Sequence, residues 1–155
     1  MMTVTINTSF LVSDIKSKSF MNTERIKDPD DRYAVRAAEE NEAEVWQALQ
    51  ESWRSLMTLC RPFLASTSDT AGNDTLSISS TNKTLQFDLS ERRTSNIGDS
   101  LAQAIHSYLS NGTLRRFYTS AAMADLMGMY AQGETAARDE IVILLYKKSE
   151  PVYSA

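Results

Sequence analysis

Histidine and cysteine, the residues most often found holding metals or attacking substrates, occur once each in this 155-residue chain. With His106 alone, a multi-histidine metal site is excluded and a Cys-His zinc site lacks ligands. With Cys60 alone, no intrachain disulfide can form. Cys60 falls on the apolar stripe of a predicted helix, which makes it a small core residue rather than a nucleophile. A Ser-His-Asp triad is not excluded by counting, but no Gly-x-Ser-x-Gly elbow is present. The five glycines form neither a phosphate loop nor a Gly-x-Gly-x-x-Gly turn. The acidic cluster Asp28, Asp30 and Asp31 lacks the spacing, central glycine and distal glutamate of a calcium loop, and reads as solvated loop. These absences predict a protein that is not an enzyme and carries no metal or cofactor.

Charge of one sign is lacking too. Sixteen basic residues face twenty acidic ones, a net charge of −4, a balance that argues weakly against a nucleic-acid grip, which wants a basic face. That balance says nothing against nucleic acid passing nearby without being held. The longest purely apolar run is residues 141–146, far short of the ~20 residues of a membrane helix. Residues 1–10 lack a basic segment followed by an apolar one, so no secretory signal is expected and the chain reads as cytoplasmic in origin. One domain fits this length, large enough to bury roughly two thirds of the unfolded surface.

What the chain does have is helical periodicity. In residues 120–148, Leu126, Met129, Tyr130, Gly133, Ala137, Ile141, Leu144 and Leu145 recur at three- and four-residue steps, on one face of a helix. Asp125, Gln132, Glu134, Thr135, Arg138 and Asp139 take the other side, with Glu134 and Arg138 an i,i+4 pair. Thr119 and Ser120 offer N-cap oxygens, Lys147, Lys148 and Pro151 mark the end, and Gly133, Ala136 and Ala137 leave a low spot for a neighbouring helix. Met123, Met127 and Met129 read as gap-fillers. Residues 39–63 form a second helix: Val45, Trp46, Leu49, Trp53, Leu56, Met57 and Cys60 make its stripe, glutamates crowd its start, and Pro62 ends it. Both tryptophans read as core anchors.

Ahead of this lies an N-terminal arm, residues 1–38. It holds a short strand at residues 3–6, a short helix carrying Phe10, Leu11, Ile15 and Phe20, and a charged loop through Pro29. Leu76 and Ile78, then Leu85, Phe87 and Leu89, alternate with polar residues and predict a β-hairpin over 75–89. Two strands are marginal alone, so the hairpin must lie on the helices or pair with another chain. Residues 94–118 place Ile97, Leu101, Ala104, Ile105, Tyr108, Leu109 and Gly112 on one helical face; then Leu114, Phe117, Tyr118 and Ala121 turn nearly opposite, with Arg115 and Arg116 on the first face. Either Asn111-Gly112 breaks the helix, or a continuous, kinked helix is covered on a second side; the continuous helix is the expectation. The Arg92-Arg93 and Arg115-Arg116 pairs read as solvated or bridged to carboxylates. The whole is a mainly α fold: a bundle of three to four helices with one β-hairpin insertion and a tail at 149–155.

This order of elements resembles the small helical head-to-tail connector (adaptor, or head-completion) proteins of tailed bacteriophages, particularly of Bacteroides-type hosts. The likeness is carried by EVWQALQESW at residues 44–53, LSI at 76–78, SLAQAIHSYL at 100–109 and DEIVILLYKK at 139–148 followed by Pro151, over roughly residues 40–151. None of these is a sharp motif, and Asn111-Gly112 departs from the uninterrupted apolar helix expected there. The resemblance implies a structural virion protein: a subunit of a homo-oligomeric ring of about twelve copies closed by heterologous contacts. The ring would join portal and head to tail and neck proteins, and genomic DNA would pass through its lumen without sequence-specific binding. Its place would be the virion neck, after assembly in the host cytoplasm, with no membrane involved. An acidic balance suits a channel that must not hold phosphates. Candidate interface residues are Leu114, Phe117, Tyr118, Ile141, Leu145, Tyr146, Pro151 and Tyr153, each open to the other reading of extra core burial. The alternative function is a small helical protein-binding module or regulator without catalytic activity.

Overall fold

A computed structural model describes residues 2–23, 42–64, 82–88, 97–120 and 124–146. Its elements are strand β1 (Met2–Asn7), helix α1 (Thr8–Thr23), helix α2 (Glu42–Cys60), a 3-10 turn (Arg61–Phe63), strand β2 (Asn82–Phe87), helix α3 (Gly98–Ser120) and helix α4 (Ala124–Tyr146). The fold is mainly helical with one two-stranded antiparallel sheet.

β1 is the alternating Thr-Val-Thr-Ile run: Val4 and Ile6 point into the core while Thr3, Thr5 and Asn7 face out. The Asn7 side-chain oxygen accepts the Phe10 N–H at 2.9 Å, which caps α1 and makes the strand turn directly into a helix. Leu11 and Ile15 carry α1 onto the core. β2 pairs with β1 antiparallel, Val4 opposite Leu85 and Met2 opposite Phe87. The strand expected near 85–89 therefore exists, but its partner is the N-terminal strand; residues 75–78, the other half of the expected hairpin, lie outside the described residues. So do most of the charged loop, Asp28, Asp30 and Asp31, Arg92 and Arg93, and the tail.

The α2 stripe is buried as its spacing predicts, with Trp46 half-buried beside a fully buried Trp53. Pro62 falls within the 3-10 turn that ends the helix. The turn delivers Leu64 to the side of β2, where it bridges to Phe87 and the Asp88 N–H donates to the Phe63 carbonyl at 2.8 Å.

α3 is the axis of the molecule. It runs unbroken through Asn111-Gly112 and packs on α1, α2, α4 and β1. A helix enclosed on several sides is apolar all round, and this explains the slipped pattern. Ile105, Tyr108 and Leu109 are buried on one side, and Leu114, Phe117 and Tyr118 on the other. Tyr118 stacks on Tyr130 of α4 at 5.7 Å. Gly112 is the point of closest approach: a Cβ there would stand 2.5 Å from Glu134 Oε2 of α4 and 3.0 Å from Ser52 Oγ of α2. The glycine costs helix propensity but admits both neighbours. Gly133 plays the reciprocal part on α4, its low spot filled by the Asn111 side chain.

Candidate functional site

Two polar clusters and two clefts stand out among the described residues. The first cluster crosses the interior where α2, α3 and α4 meet. Arg115 Nε donates to both oxygens of Glu134 at 3.2 Å, and Arg116 Nη1 to Oε2 at 3.4 Å. Arg116 also donates to Ser52 Oγ at 2.8 Å and Ser55 Oγ at 3.2 Å, and lies 3.6 Å from Glu51. A half-buried guanidinium is thus met by two carboxylates and two hydroxyls, the planar, multiply bonded setting in which arginine, not lysine, is effective. Burial, then the Glu134 charge, pushes the neighbouring Tyr108 phenol up, so it stays protonated.

This cluster corrects two expectations. Glu134 was placed on the outward side in an i,i+4 pair with Arg138, yet its carboxylate turns inward to the arginines of α3. A partly buried pair of guanidinium groups outcompetes one exposed partner because partial exclusion of water strengthens the attraction. Thr119 was expected to cap the last helix; its hydroxyl instead donates back to the Arg115 carbonyl at 2.7 Å within α3.

The second cluster joins α1 to α3. Asp14 Oδ2 accepts from His106 Nε2 at 2.9 Å and pairs with Lys18 at 3.2 Å, while Lys18 also donates to Ser110 Oγ at 3.1 Å. Burial raises the Asp14 carboxyl, but the His106 hydrogen bond and the Lys18 charge together outweigh it, leaving it below its usual 3.8. The carboxylate is therefore the acceptor and Nε2 carries the proton. Phe10 stacks over His106 at 5.1 Å. Nothing in the sequence pairs His106 with a residue 92 positions away, so this contact is legible only in the structure.

Cys60 is buried, and burial pushes its thiol up to about 12, which keeps it a thiol and not a nucleophile. Among the described residues no group of three or more His, Cys, Asp and Glu is placed to hold a metal, and no helix is long and apolar enough to cross a membrane.

One cleft of about 400 Å³ lies between α2 and α3, walled by Glu44, Gln47, Glu51, Arg115 and Thr119. The other, about 430 Å³ and mostly apolar, runs beside β1 under Phe10 and His106.

The interface residues expected from sequence divide sharply. Leu114, Phe117 and Tyr118 are buried inside the protomer, as are Ile141 and Leu145; core burial, not a docking face, is what they do. Their second face is the one α3 turns to its own neighbours. Tyr146 is 60% exposed, its ring edge-on to Phe63 at 4.9 Å. Pro151 and Tyr153 lie outside the described residues. Three exposed apolar residues lie outside that set of interface candidates: Ile143, 62% exposed, Phe10, 61%, and Met129, 46%. The spacing puts Met129 on the packed face, but the α4 face that packs centres on Tyr130, Ala137 and Ile141. No protein-family model, no curated protein and no solved structure matches the chain.

Proposed function

We propose that this chain is a structural subunit of the ring that joins head to tail in a tailed bacteriophage. The reading rests on the resemblance together with one observation. α4 is 23 residues long, yet among the described elements it packs substantially on α3 alone, and its outer side exposes Met129, Ile143 and Tyr146. Large apolar side chains on the open face of a long helix are what a protein interface leaves on an isolated subunit. In a ring closed by heterologous contacts, that face meets a different surface of the next copy. The net charge of −4 suits a channel subunit past which DNA slides without being held.

Cosedimentation tests this. The protein is expected in purified virions, and Ile143→Asp combined with Tyr146→Asp should remove it from them while circular dichroism stays unchanged. A folded double variant incorporated at the normal level would overturn the assignment of that face. The second reading, a helical binding module, is favoured by the α2–α3 cleft. It predicts a soluble partner lost on Gln47→Trp, with no virion association.

A further inference from the structure

We propose that β1 is a self-pairing edge: two copies of this chain join through antiparallel β1–β1 contact, extending each two-stranded sheet into one of four strands. The proposal is independent of the ring reading, since β1 and α4 lie on different parts of the molecule and share no substantial contact.

The hydrogen-bond pattern says which groups are available. At the Leu64–Phe87 bridge, the Asp88 N–H turns away from β1, towards Phe63. Successive residues of a strand send their polar groups to opposite edges. Lys83, Leu85 and Phe87 therefore address β1, and their partners Ile6, Val4 and Met2 address β2. The amides and carbonyls of Thr3 and Thr5, and the amide of Asn7, are left on the far side; the Asn7 carbonyl, at the N-cap of α1, belongs to the helix. The sheet has two strands, so this edge pairs with no other strand among the described residues.

An edge of this kind normally carries a lysine, a proline or an inward charge to prevent association. β1 reads Met-Thr-Val-Thr-Ile-Asn and has none of these. Its apolar neighbourhood continues beyond the strand: the cleft of about 430 Å³ borders the same stretch through Thr5 and Ile6, and Phe10 beside it is 61% exposed.

The strand also fits itself. With Thr5 opposite Thr5 of the second copy, the Thr5 amides and carbonyls pair with each other, and the Asn7 amide meets the Thr3 carbonyl. In that register Val4 lies opposite Ile6 on the buried face, and Thr5 faces Thr5 on the open one. Both pairings are favourable across strands. No other occupant is required: the strand has no charge to repel its copy. Each chain has one such edge, so the assembly closes at two.

Sedimentation of the wild-type chain should give a concentration-dependent species of twice the 17.3 kDa chain mass. A monomer at all concentrations overturns the proposal, as does a twofold species that survives loss of the edge; a larger assembly built through α4 is read separately, by the Ile143→Asp, Tyr146→Asp variant. Thr5→Pro should abolish the pair without loss of helical circular dichroism, because the amide it removes points outward. A folded Thr5→Pro protein that still pairs contradicts it. Register is read by disulfide trapping, which does not depend on the proline variant folding. Thr5→Cys brings two thiols together across a hydrogen-bonded pair at roughly 5.5 Å between Cα atoms, within disulfide reach. Thr3→Cys leaves them roughly 13 Å apart. Cys60 is buried and stays out of the reaction. Linkage at position 5 and not at position 3 supports the pairing; equal linkage at both, or at neither, overturns it.

Discussion

Thr113 carries a hydroxyl into the middle of α3, fully buried and without a hydrogen-bonding partner among the described residues. Burying an unmatched hydroxyl costs about 1–3 kcal/mol. Thr113→Val keeps the branched shape and removes that cost, so urea denaturation should show a variant more stable by about 1 kcal/mol; a loss of stability would mean the hydroxyl has a partner. Asp14 gives the opposite case, a polar group with two partners. Its folded carboxyl titrates below 3.8, so its contribution is present above that pH and is lost as pH falls through the lower folded value. Asp14→Asn should therefore be less stable than wild type near neutral pH, by about 1 kcal/mol after allowing for solvent screening. The two should converge as pH falls below 3.8. A gap that stays constant as the acid is titrated through that range would mean Asp14 does not act through its charge. His106→Ala removes the stronger hydrogen bond of the pair and should narrow the same gap. Sequence alone gave His106 no such role, because its partner is far off in the chain.

At the scale of the element, much of the fold was legible from spacing. The α2 stripe from Val45 to Cys60 was readable because a helix half-exposed to water must repeat its apolar residues every three to four positions. α3 was harder for the same reason in reverse. Enclosed by α1, α2, α4 and β1, it has no single apolar face, and Leu114, Phe117 and Tyr118 looked like surplus surface. Phe117→Asp would bury a charge in the core and unfold the chain rather than test an interface. The pairing of β1 with β2 joins residues some eighty positions apart, and alternation says that a strand exists without naming its partner.

Glycine substitutions separate the helix contacts. Gly112→Ala must displace Glu134 and Ser52 from the arginine cluster, and should lower stability by about 1–3 kcal/mol despite the better helix propensity of alanine. Gly128→Ala meets nothing within 4 Å and should raise stability by about 0.5–1 kcal/mol. Thermal melts of the two variants should move in opposite directions; a stabilised Gly112→Ala would show that α2, α3 and α4 do not meet as closely as described.

At the scale of the whole molecule, the parts have unequal duties. The core lies between the sheet, α1, α2 and α3, and α4 is joined to it chiefly along α3. The polar cluster of Arg115, Arg116 and Glu134 fixes how the last helix lies on that core, because its carboxylate has to meet two guanidinium groups on another helix. What α4 turns outward is then available for assembly. The most direct measurement is the number of copies per purified virion, by quantitative mass spectrometry, for the wild type and for the Ile143→Asp, Tyr146→Asp variant. The account predicts about twelve copies, the number the connector resemblance implies for a closed ring, and near-complete loss in the folded variant. Virions that lack the wild-type protein would contradict it.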